Sequence, residues 1–156
     1  MKNLMDADVK YMREALKEAK KAYKINEIPV GCVIVLNDKI IARGYNKRES
    51  NNQATDHAEI IAIRKASKKL NSWRLDECKM YITLEPCVMC SGAIIQSRIK
   101  DVIYGAKDYR FGCHDSIINL FNVDFNHKVN IKGSILEEEC STLISNFLKE
   151  LREKKN

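Results

Sequence analysis

Three residues of metal-ligand type stand at spacings that suit one ion: His57 and, thirty positions later, Cys87 with Cys90. One imidazole and two thiolates make a zinc set one ligand short of four, and a zinc site that does chemistry keeps the fourth position open for water or substrate. Glu59, two residues beyond the histidine, supplies a carboxylate that the metal does not need. Cys87 and Cys90 are three apart at the start of a predicted helix, so their side chains share one face and can hold a tetrahedral ion between them. His57 also falls at a predicted helix start. Two N-terminal dipole ends aimed at one point favour thiolate over thiol. Because two thiolates neutralise Zn²⁺, water on such a metal is less acidic than in an all-histidine site, where its pKa is about 7. A carboxylate must then help move the proton, and Glu59 is placed to act first as base and later as acid.

A lone Cys-x-x-Cys also serves structural zinc knuckles and redox pairs. Here the upstream His57-Ala58-Glu59 and the absence of a second Cys-x-x-Cys favour catalysis. With Pro86 included, the residues read H-x-E…P-C-x-x-C, the established signature of zinc-dependent nucleobase deaminases. His114 and His127 lack a motif partner and read as surface or packing residues.

The elements that must position this set follow from periodicity. Met12, Ala15, Leu16, Ala19 and Tyr23 recur at helical spacing after the capping candidates Asp6 and Asp8, which predicts an amphipathic first helix. The apolar run from Val30 to Leu36, the pair Asn37-Asp38 and the segment Lys39 to Tyr45 read as a hairpin. Lys47 to Gln53 is a loop, and a helix begins near Asp56 or His57. Met80 to Leu84 is a strand that Glu85-Pro86 turns into the cysteine helix, with proline suited to its first turn. Asp101 to Gly105 is a further strand and Val129 to Lys132 a weaker one. Ser134 with Glu137 reads as a capping box ahead of a closing helix whose apolar stripe is Cys140, Leu143, Ile144, Phe147, Leu148 and Leu151. Alternating strands and helices make an α/β fold with helices on the faces of a sheet of about five strands.

The 156 residues, 45% of them hydrophobic, fit a single domain spanning 1–156. No apolar run reaches membrane-spanning length, and the first residues contain no secretory apolar stretch, so a cytoplasmic location and no membrane partner are expected. The six cysteines at 32, 78, 87, 90, 113 and 140 then read as reduced thiols. Cys32 and Cys140 read as small core residues. A charge of +6 and a pI near 9 favour an anionic partner, although a lysine-rich composition accounts for them equally. Basic residues gather at Lys149, Arg152, Lys154 and Lys155 and after the cysteine motif at Arg98, Lys100, Lys107 and Arg110.

The segments Asp56-His57-Ala58-Glu59-Ile60-Ile61-Ala62-Ile63, Thr83-Leu84-Glu85-Pro86-Cys87-Val88-Met89-Cys90-Ser91-Gly92-Ala93 and Ser97-Arg98-Ile99…Tyr104-Gly105-Ala106 closely resemble the bacterial tRNA-specific adenosine deaminases, members of the zinc-dependent cytidine/deoxycytidylate deaminase superfamily. Pro29-Val30-Gly31, Asn46, Ser72-Trp73-Arg74-Leu75, Asn126-His127 and Gly133 to Phe147 extend the resemblance almost end to end. It implies a three-layer α/β/α cytidine-deaminase-like fold with a mixed central sheet, a homodimer, and conversion of the wobble adenosine of a tRNA anticodon stem-loop to inosine. It places one Zn²⁺ per chain on His57, Cys87 and Cys90, the proton shuttle on Glu59, a base contact on Asn46 and a sugar contact on Asp108. An amide can donate and accept on a purine edge, and a carboxylate accepting from a 2′-OH favours RNA over DNA. The chain departs from the family pattern at Tyr109, Phe111, His114 and Asp115, and at Leu148, where a second phenylalanine is common. Two rival readings share parts of the motif: a deaminase of free guanine or cytosine, and an RNA-binding subunit that keeps zinc only for folding. The second normally lacks the carboxylate, and Glu59 is present.

Overall fold

The computed structural model describes residues 4–155. Helix α1 (Leu4–Lys24) precedes a hairpin of β1 (Gly31–Leu36) and β2 (Lys39–Tyr45), then come α2 (Ala58–Leu70), β3 (Lys79–Leu84), α3 (Val88–Gln96), β4 (Asp101–Ala106), β5 (Asn130–Lys132) and α4 (Glu137–Lys154). The strands form one mixed sheet in the order β2-β1-β3-β4-β5, antiparallel on the hairpin side and parallel from β3 to β5. The hairpin is closed by Asn37 and Asp38, both at positive φ, the backbone that a tight two-residue turn demands.

Both faces of the sheet are covered, as its near-continuous apolar strands require. On one face Ala58, Ala62 and Ala66 of α2 and Ile94 and Ile95 of α3 pack on Cys32, Ile34, Met80, Ile82, Val102 and Tyr104. On the other, Tyr11, Met12, Ala15 and Leu16 of α1 and Cys140 of α4 cover Val33, Val35, Tyr81 and Ile103. The result is the expected three-layer α/β/α arrangement. All six cysteines are free, and Cys32, Cys78 and Cys140 are core residues.

Four local expectations are corrected. Asp8 does not cap α1, which is already helical from Leu4; it is buried, accepts a hydrogen bond from the Tyr81 hydroxyl at 2.8 Å and pairs with Lys132 Nζ at 2.6 Å. Pro86 lies one residue before the N-cap Cys87 and not inside the helix. The Ser134–Glu137 capping box does not form: Ser134 and Leu136 both have positive φ, and the N–H groups of Ser134 and Ile135 bond to Gly105 and Tyr104 of β4 instead. The pinning to β4 makes Leu136 the N-cap and Glu137 the first helical residue, two positions short of the third helical position that a box requires. Glu137, Glu138 and Glu139 favour that helix start through its dipole. Finally, Leu151 is exposed: Cys140 and Leu143 of α4 pack toward the sheet, and Phe147 packs edge-on against Tyr23 of α1.

Candidate metal centre and active site

Two helix starts converge on one point. His57 is the N-cap of α2 and Cys87 the N-cap of α3, both with extended backbone, and neither side chain makes the usual capping hydrogen bond. Their ligand atoms are thereby kept for each other. Cys90, in the first turn of α3, completes the group. The Sγ atoms of Cys87 and Cys90 lie 3.7 Å and 3.6 Å from His57 Nδ1. For a tetrahedral zinc with Zn–N near 2.0–2.1 Å and Zn–S near 2.3 Å, the N···S edge is about 3.6 Å. The three donors therefore fit that ion in chemistry and in spacing, and no other group of this kind occurs among the described residues.

The ionisation of the set is coupled through Cys87. Hydrogen bonds from Cys90 and from His57 pull the Cys87 thiol down to about 4, which favours the thiolate that a metal needs. The bond to Cys87 in turn raises both Cys90 and His57. Glu59, in the first turn of α2, is 4% exposed, and burial pushes its carboxyl up to about 7. A buried acid poised near neutrality can take up and release a proton at working pH.

The helix starts are held by close packing and by loop braces. Gly44 of β2 faces the first turn of α2, where an added Cβ would lie 2.6 Å from the Ala58 carbonyl oxygen. Asp56 accepts hydrogen bonds from Asn51 and from Arg64, both at 2.8 Å, and fixes the approach to His57. Asn46 is buried at the end of β2; its Nδ2 donates to the Ile28 carbonyl and its Oδ1 accepts from the Arg48 N–H. Asp108 is half-buried in the loop after β4, and its Oδ1 accepts the N–H groups of Arg110 and Phe111. His114 bonds through Nδ1 to the Tyr104 hydroxyl and His127 through Nε2 to the Ile99 carbonyl, so both are packing residues.

Two buried carboxylates that carry no motif brace the loops around the site. Glu27 accepts the N–H groups of Glu49 and Ser50 in the loop before α2. Glu85 collects those of Asp108, His114, Asp115 and Ser116 in the loop after β4. Only the place of Glu85, an acid ending a buried strand directly before Pro86, gave a signal in the sequence.

A histidine, two cysteines and a buried glutamate at paired helix starts, on an α/β/α sheet, define a hydrolytic deaminase. The family model described as MafB19-like deaminase matches residues 6–152. The chain is 46% identical over 152 residues to a tRNA-specific adenosine deaminase of Bacillus subtilis (97% of this chain and 94% of that protein), and 45% identical over 146 residues to one of Streptococcus pyogenes (93% and 92%). Among solved structures, a tRNA:A34 deaminase studied for A-to-I editing at the wobble position superposes with a TM-score of 0.83 at 37% identity, covering 86% of this chain and 98% of that one. A guanine deaminase from Nitrosomonas europaea, at 19% identity and a TM-score of 0.78, shares the fold. The chain belongs to the family of tRNA-specific adenosine deaminases.

Proposed function

We propose that the protein deaminates adenosine to inosine by hydrolysis at the wobble position of a tRNA anticodon loop, with residues 1–156 acting as one zinc-dependent deaminase domain. The observation that carries this reading is the His57–Cys87–Cys90 triangle with the buried Glu59 beside it. His57, Cys87 and Cys90 hold the zinc, which when bound supplies a Lewis acid that makes water a better nucleophile. Glu59 moves the protons: it accepts one from the attacking water and gives it to the ring nitrogen, then takes the second from the hydroxyl now on the ring carbon and delivers it to the amine, which leaves as ammonia. A cation nearby draws its pKa back down, which favours its role as base at the start of the cycle.

Asn46 contacts the flipped base. Its two hydrogen bonds to Ile28 and Arg48 leave one N–H and one lone pair for a purine edge, so the amide is already oriented. Asp108 contacts the ribose: one oxygen caps the loop, and the other remains to accept a 2′-OH. The net charge of +6 suits a phosphate-rich partner. We further propose a homodimer that uses the outer face of α3, where Val88 and Phe125 are exposed beside a shallow cleft of about 240 Å³ lined by Gly92, Ile95 and Leu120. No helix among the described residues is long and apolar enough to cross a membrane, and a cytoplasmic site of action suits a tRNA substrate.

The test pairs an anticodon stem-loop carrying a wobble adenosine with free guanine, cytosine and adenosine, and measures inosine and released ammonia. Inosine from the hairpin alone is expected. Ammonia from a free base with equal efficiency would move the assignment to the free-base deaminases.

A further inference from the structure

The carboxylate of Glu85 is 2% exposed and faces no lysine or arginine among the salt bridges of the described residues. Burying such a charge costs several kcal/mol unless hydrogen bonds replace its water. Here the replacements come from one loop. Oε1 accepts the Asp108 N–H at 3.1 Å and the Ser116 hydroxyl at 2.5 Å, and Oε2 accepts the N–H groups of His114, Asp115 and Ser116 at 2.9, 2.8 and 3.2 Å. The loop thus closes around both oxygens. Gly112 rests directly on the carboxylate, where an added Cβ would lie 2.4 Å from Glu85 Cδ.

The same residue is tied into the metal-ligand turn. Its N–H donates to the Ala106 carbonyl, and the following residue, Pro86, accepts the N–H of Cys113 through its own carbonyl. One residue further on is Cys87. The loop's other side is turned to solvent: Tyr109 is 75% exposed and Phe111 64% exposed, with the exposed Arg110 between them. Unpaired bases stack on aromatic and guanidinium planes, and a surface already fixed in place binds without paying its ordering entropy at that moment.

We propose that Glu85 is the positioning residue that locks the 107–116 loop to the Cys87 turn, so that Tyr109, Arg110 and Phe111 present a preformed surface to RNA nucleotides flanking the target base. The role of the loop as an RNA contact rests on the function proposed above. The locking does not.

The experiment compares the native zinc-loaded protein with Glu85→Gln, whose NH₂ group cannot accept from the loop. Trypsin cleavage after Arg110 under native conditions is expected to accelerate in the variant, while bound zinc stays at one per chain. On an anticodon stem-loop, KM is expected to rise roughly ten- to a hundredfold with a smaller change in kcat, about what the loss of one base–aromatic stack costs in binding. If Glu85→Gln does not fold, Gly112→Ala displaces the carboxylate without removing it and is expected to give the same pattern. Unchanged protection at Arg110, or an unchanged KM with only kcat reduced, overturns the proposal. If the native protein makes no inosine from any hairpin, the function proposed above fails, and the trypsin comparison alone decides the locking role.

Discussion

One steric constraint on the active site lies outside it, at Gly44. A Cβ at this position would stand 2.6 Å from the Ala58 carbonyl oxygen and 2.9 Å from the Ala62 nitrogen, both backbone atoms of α2. Ordinary contact begins near 3.4 Å, so Gly44→Ala demands about 0.8 Å of retreat between β2 and α2. Since β2 is hydrogen-bonded to β1 along its length, with Gly44 opposite Cys32, much of that movement falls on the helix. His57 precedes Ala58 directly and moves with it. A shift of that size away from α3 would stretch the 3.6 and 3.7 Å contacts to Cys90 and Cys87 past 4 Å, whereas metal–ligand distances tolerate only about 0.2 Å. We expect about 1–3 kcal/mol of lost stability from overpacking and roughly a hundredfold loss of turnover. Chelator competition measures zinc affinity and hairpin deamination measures rate. Wild-type zinc affinity and turnover in Gly44→Ala would refute the argument that this approach distance sets the metal geometry.

Three further outcomes are expected. Glu59→Gln keeps one zinc per chain by metal analysis while turnover falls by several orders of magnitude; near-normal turnover would require another base. Asp108→Asn retains an oxygen to cap Arg110 and Phe111 but lowers the RNA-to-DNA rate ratio on matched hairpins, and an unchanged ratio would reduce Asp108 to a loop cap. Stability declines on the alkaline side: burial raises Cys32 and Tyr81 and pushes Cys140 up to about 12, so the folded chain keeps protons that the unfolded chain releases from about pH 8.5 (thiol) and 10 (phenol) upward. The contribution is complete below those values and drains as pH rises toward 12, at up to about 1.4 kcal/mol per pH unit per group. Urea midpoints between pH 8 and 11 should fall less steeply for Cys140→Ala, and an identical slope would exclude Cys140 as a source.

The parts of this molecule that could be read from its sequence are those governed by local pattern. The hairpin was legible because Asn37-Asp38 tolerates positive φ between two apolar runs, and α1 because its apolar residues repeat at helical spacing. The grouping of His57, Cys87 and Cys90 was legible because metal-binding chemistry demands particular residue types at helix starts. What escaped was set by tertiary contact. Asp8 resembles a cap until Tyr81, seventy-three residues away, bonds to it. The Ser134–Glu137 box fails because β4 captures the backbone donors of the segment. Glu27 and Glu85 have no motif of their own; their partners are backbone N–H groups of distant loops, which any sequence can supply.

The central claim is chemical and positional: this zinc-dependent site removes the amino group from the wobble adenosine of a tRNA. The most direct measurement is sequencing of an adenosine-wobble tRNA after incubation with the zinc-loaded protein, because inosine is read as guanosine. The account predicts an adenosine-to-guanosine change confined to the wobble base, abolished by Glu59→Gln and by chelation and restored by added zinc. An unmodified wobble base, or conversion spread over other adenosines of the loop, would contradict it.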